Sequence, residues 1–93
     1  MIRCIRFRRF EKNTLKGFAD LELTRVGLVI RDCAWHESHG KQWIGFPARP
    51  YDVNGERRWQ PLVEFAQGAA AAREQFQKLA IEAIHAVADA EAA

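Results

Sequence analysis

Arginine dominates the residues of this chain that could do chemistry. Arg3, Arg6, Arg8 and Arg9 crowd the first ten positions, Lys12 and Lys16 follow, and Arg31, Lys41, Arg49, Arg57 and Arg58 recur later. Between them lie Trp35, Trp43, Phe46, Tyr51 and Trp59. Cationic side chains neutralise phosphates and flat aromatic faces stack on bases, so the two interleaved are what a sheet needs to hold a nucleic-acid strand. The candidate phosphate contacts are Arg6, Arg8, Arg9, Lys12, Lys16, Arg31 and Arg49, with Trp35 or Trp43 as the candidate stacking face. A plainer reading stands beside this one: arginines keep an exposed face soluble, and tryptophan serves as core or as a dimer contact.

Other chemistries find less support. There is no Gly-rich phosphate loop, no nucleophile elbow and no HExxH motif. Ser38 is the one serine, and although His36 and His39 flank it, no third group is identifiable to orient them. Cys33, His36 and His39 are zinc-ligand types within seven residues, with Cys4 as a conceivable fourth. Residues 33 and 36 differ by an odd number, however, so a regular strand sends them to opposite faces. The expectation is therefore a non-enzymatic protein with no metal and no cofactor.

Several elements must position these residues. Ile2 to Phe10 mixes Ile and Phe with arginine and suits a strand with one positively charged face. Glu11 to Gly17 is polar and ends in glycine, as a hairpin connection would. Phe18 to Thr24 alternates: Ala19, Leu21 and Leu23 face one way, Asp20, Glu22 and Thr24 the other, the signature of a half-buried antiparallel strand. Leu28 to Trp35 follows after Gly27 as a third strand, and His36 to Lys41 as a turn. A fourth strand, Gln42 to Phe46, is ended by Pro47 and Pro50, and Asn54-Gly55 marks a hairpin into a fifth, Arg57 to Phe65. From Gly68 the chain is alanine-rich. Phe76, Leu79, Ala80, Ala83, Ile84 and Val87 recur at helical spacing, opposite Arg73, Glu74, Gln77, Lys78, Glu82 and Asp89. The fold class expected is α+β. A bent antiparallel sheet of four to five strands over about residues 2–65 precedes one C-terminal amphipathic helix over about 68–90, all in one domain spanning 1–93.

Totals agree. A chain of 93 residues builds one small domain with a thin stability margin, which a second copy would widen. Its formal charge is +2, unevenly spread: residues 1–60 hold twelve Lys/Arg against seven Asp/Glu, and residues 61–93 hold two against five. A basic front of this kind points to a polyanionic partner. Arginines interrupt the apolar N-terminal residues, so no signal-peptide core forms, and no apolar run reaches the roughly 18 residues of a membrane span. Two cysteines in such a chain are expected as reduced, buried thiols, and the compartment as cytoplasm.

Two stretches carry a resemblance. At Leu28-Val29-Ile30-Arg31-Asp32 and at Trp43-Ile44-Gly45-Phe46-Pro47-Ala48-Arg49 the chain resembles the SpoVG (septation protein) family. Phe46-Pro47-Ala48-Arg49 matches that family's hydrophobic-Pro-small-basic signature, and Pro61-Leu62 its later Pro-hydrophobic pair. The likeness runs from about Ile5 to Val87. It implies a small dimeric α+β protein that binds DNA or RNA and regulates expression. The helix departs from the family pattern, opening Gln67-Gly68-Ala69 with Arg73 as its one early basic residue, so the sheet must carry more of any contact. Strands-then-helix order is also similar to that of dimeric single-stranded-DNA-binding transcription coactivators, by architecture alone. The competing expectation is a protein-interaction or structural subunit whose basic face is merely solvated.

Overall fold

A computed structural model describes residues 1–92 and builds six antiparallel strands in two sheets, followed by one helix. The strands are β1 (Ile2–Lys12), β2 (Leu15–Leu23), β3 (Leu28–Ser38), β4 (Lys41–Gly45), β5 (Ala48–Val53) and β6 (Glu56–Pro61), and the helix is α1 (Ala70–Ala92). The larger sheet runs β1-β2-β3-β4; β5 and β6 pair with each other as a separate ribbon. This is the α+β class expected, with its helix at the C-terminus.

The larger sheet has one covered face. Cys4, Ala19, Leu21, Ile30, Cys33, Trp35 and Ile44 point toward α1, which answers with Phe76, Ala80, Ile84 and Ala88. Those helix positions are spaced by four, so they form a single stripe along one side. Small Ala80, between Phe76 and Ile84, and Ala88, one turn beyond, let the helix backbone approach the sheet closely. Leu21 and Ile84 are fully buried. Phe46, Phe65 and Phe76 form a tilted aromatic trio where the chain leaves the ribbon and enters the helix, with centroid distances of 5.0–5.6 Å.

Local details depart from the pattern-based expectation, each for a reason. The first connection shrinks to Asn13-Thr14, because Asn13 takes the left-handed conformation (φ 56°) and turns the chain there. Gly17 consequently sits inside β2. A side-chain carbon at Gly17 would lie 2.8 Å from both the Arg8 carbonyl oxygen and the Phe7 ring, so the glycine serves close approach rather than a turn. His39-Gly40 and Asn54-Gly55 each have two positive φ values (53° and 77°; 51° and 81°), as tight hairpins require. Pro50 does not end a strand but lies within β5, tolerated because a two-stranded ribbon has only edges. Residues 62–65 leave the strand, and Phe65 turns in to pack on Phe76.

Gln77 was expected on the solvent side of the helix. Instead it bonds the edge of the sheet: its Nε2 donates to the Ile44 carbonyl (3.0 Å), and its Oε1 accepts from the Ile44 N–H (2.7 Å). The two bonds mimic a strand partner and close β4 to further pairing at that point.

Candidate nucleic-acid interface

The face of the larger sheet turned away from α1 is uncovered, and cross-strand register decides what lies on it. One row runs Arg8–Phe18–Ala34–Gly45 across all four strands. A second pairs Arg6 with Asp20, opposite the Arg31-Asp32 bulge of β3. A third pairs His36 with Trp43. Alternation along each strand brings Phe10 to the same side as Arg6 and Arg8.

These rows make two aromatic stations. The Arg8 guanidinium lies 5.1 Å from the Phe18 ring centroid, and Phe10 leans on Phe18 at 6.1 Å. Across the small Ala34 and Gly45, the His36 and Trp43 rings stack at 5.3 Å with only 5° between their planes. A hydrogen bond of 3.0 Å between His36 Nδ1 and Thr14 Oγ1 holds the imidazole in place. Trp43 keeps 39% of its surface exposed, so it offers a ring face to a ligand.

Asp20 anchors the charged row. It is only 5% exposed, its Oδ1 accepts the Asp32 N–H (3.0 Å), and its Oδ2 accepts from Arg31 (2.9 Å). Burial by itself would raise its pKa, but the Asp32 amide, the Arg31 guanidinium and the positive charge of Arg6 together hold the carboxyl below the usual carboxylate value. A lowered folded-state pKa stabilises the fold above the unfolded value of about 3.9, and that contribution is lost as pH falls through the folded value. Asp20→Asn should therefore cost about 1 kcal/mol at neutral pH, and the gap to wild type should close as denaturant titrations move from about pH 6 to pH 3. A gap that persists unchanged at the acidic end would refute the assignment.

The residues singled out by sequence divide accordingly. Arg6 and Arg8 share the open face with Trp43. Arg31 is at its margin, already engaged by Asp20. Arg9 is on the opposite face, 5.5 Å over the Phe7 ring, because it is one residue out of step with Arg8. Lys12 ends β1 beside the first turn, and Lys16 reaches Glu11 at 3.9 Å. Arg49 is on the ribbon, opposite Gln60. Trp35 is not a stacking face: it is 6% exposed, tilted against Phe7 and edge-on to His85, with its Nε1 donating to Gln42. Its residue number puts it in step with Cys33, on the helix side.

Phe18, Phe10, His36 and Asp32 belong to this face and were missed. The parity of Arg6, Arg8 and Phe10 was visible in the sequence, but which residues oppose them depends on register. Both cysteines are buried and unpaired, and burial pushes the Cys33 thiol up to about 12. Cys33 packs under the helix while His36 lies on the open face, so the two point apart. Compared with protein-family models, curated proteins and solved structures, the chain matches none.

Proposed function

We propose that the open sheet face binds nucleic acid, DNA or RNA, holding phosphates with Arg6 and Arg8 and stacking bases on Trp43 and its neighbours. The observation that carries this reading is the uncovered face itself. Two arginines, two phenylalanines and the His36–Trp43 stack share one surface that no other element of the described residues covers. Exposed bases of a single strand can lie on such rings, whereas a duplex hides its base faces. On the strength of residues 28–32 and 43–49, the role is that of a small cytoplasmic regulator of the SpoVG type. Among the described residues no helix is long and apolar enough to cross a membrane.

A homodimer is part of the proposal. Every residue of the β5–β6 ribbon is exposed, Trp59 at 62%, and Tyr51 and Val53 stand on it as well. An isolated two-stranded ribbon is marginal in water, so a second surface should cover it. Met1, Ile2, Leu23, Val26, Phe65 and Leu79 line an apolar cleft of about 330 Å³ that a second copy offers. The same ribbon favours the competing reading, an interaction subunit that never touches nucleic acid.

Fluorescence anisotropy with single- and double-stranded DNA and RNA separates the two. Binding should weaken as salt rises, and Arg6→Gln with Arg8→Gln should flatten the salt slope by about one to two units while the protein stays folded. Sedimentation of the same samples should give twice the 10.7 kDa chain mass. A folded protein that binds none of the four ligands at about 50 mM salt leaves only the interaction subunit.

A further inference from the structure

One corner of the open face is a built cleft rather than a flat surface. Arg6, Arg8, Phe18, Asp20 and Asp32 line a volume of about 240 Å³. This lies below the roughly 300–1,000 Å³ of sites for drug-sized ligands, on the scale of a single base.

Its two carboxylates are not equivalent. Asp20 is buried with both oxygens engaged, one on the Asp32 N–H and the other on Arg31. Asp32 gives its backbone to that anchor and adopts φ 55°, while its own carboxylate has no hydrogen bond or ion pair among the described residues. The cleft thus presents one acceptor-only group without a partner among the described residues, Asp32, and two donor-only groups, Arg6 and Arg8, around an aromatic wall capped by the Arg8–Phe18 contact.

Among the standard bases, one has the complementary edge. Guanine offers two adjacent donors, N1–H and the N2 amino group, beside an acceptor, O6. Adenine and cytosine each put an acceptor next to their amino group, and uracil and thymine flank their single N–H with two acceptors. A carboxylate takes two parallel donors in bidentate fashion and repels an adjacent lone pair.

Resting on the nucleic-acid reading above, we infer that this cleft is a guanine subsite for a single strand. Asp32 accepts from N1–H and N2–H, an arginine donates to O6, and the ring stacks on the Arg8–Phe18 wall. Asp32 is then the residue that gives an otherwise phosphate-driven surface its base preference.

The test uses the full chain and thymidine oligonucleotides of about twelve residues with one central position varied. Guanine at that position should bind about tenfold tighter than inosine, which lacks only the N2 amino group, and by a larger factor over adenine, whose N1 sets a lone pair against the carboxylate. Asp32→Asn and Asp32→Gly, both compatible with a positive φ, should abolish the difference, each read against the same variant's affinity for the all-thymidine strand. Guanosine monophosphate alone should bind far more weakly than the guanine-containing strand. The inference is overturned if wild type treats guanine and inosine alike, if either variant keeps the discrimination, or if the free nucleotide binds as well as the strand. In each of those outcomes oligonucleotides still bind, so the nucleic-acid reading survives. Loss of all oligonucleotide binding would remove both.

Discussion

Replacing Phe76 with alanine should lower the unfolding free energy by about 3–5 kcal/mol, seen as a shift in the midpoint of denaturant unfolding. Phe76 is 6% exposed and stands where three parts of the chain meet. Its ring contacts Phe46, just beyond β4, at 5.0 Å, and Phe65, on the connection out of the ribbon, at 5.5 Å. Below it lies the larger sheet, to which Ala80, Ile84 and Ala88 continue the contact. Truncation removes a large buried ring and its contacts with both neighbouring rings, so a transfer cost and the cost of any cavity that remains both apply. Against a total stability of about 5–15 kcal/mol for a small domain, this loss should also lower the melting temperature by many degrees. A variant that unfolds at the wild-type midpoint would mean that the helix does not dock through Phe76.

Trp43→Ala should show the reverse profile. Its ring is on the open face, stacked on His36 rather than packed under the helix, so the melting temperature should change little. Affinity for a single strand should fall by about 1–3 kcal/mol, the value of one base–aromatic stack, and the salt slope should stay as in wild type because no phosphate contact is lost. That last measurement distinguishes Trp43 from Arg6 and Arg8, whose removal alters the slope. Trp35→Ala, by contrast, empties a core position and should act on stability first. A Trp43→Ala protein that binds as wild type would take stacking at this station out of the proposal.

The elements and their order were legible in the chain. Alternation in Phe18 to Thr24 marked the half-buried β2, Asn54-Gly55 marked the ribbon turn, and the Phe76, Ala80, Ile84 spacing marked the buried stripe of α1. These are local signals, written in turn chemistry and side-chain period, and they need no partner strand to be read. Parity along one strand likewise separated Cys33 from His36; it also sets Arg9 apart from Arg8, a distinction that grouping both as phosphate contacts did not draw.

Register and covering were decided by the tertiary structure. Whether Phe18 meets Arg8 and whether Arg31 and Asp32 together oppose Asp20 depend on bulges that shift the pairing by one residue, and the meeting of Trp43 with His36 depends on the unbroken register of β3 with β4. Which tryptophan is core depends on which face the helix chooses, and Trp35 and Trp43 are alike in composition and neighbourhood until α1 lies down over one of them. Gln77 reads as a solvent-facing helix residue until the edge of β4 arrives beside it with an unpaired N–H and carbonyl. The sequence by itself determined an arginine-rich antiparallel sheet and one amphipathic helix, because side-chain period and turn preference act within a few residues. The tertiary structure alone decided which arginines and aromatics share a surface, because that juxtaposition is set by contacts between residues far apart in the chain.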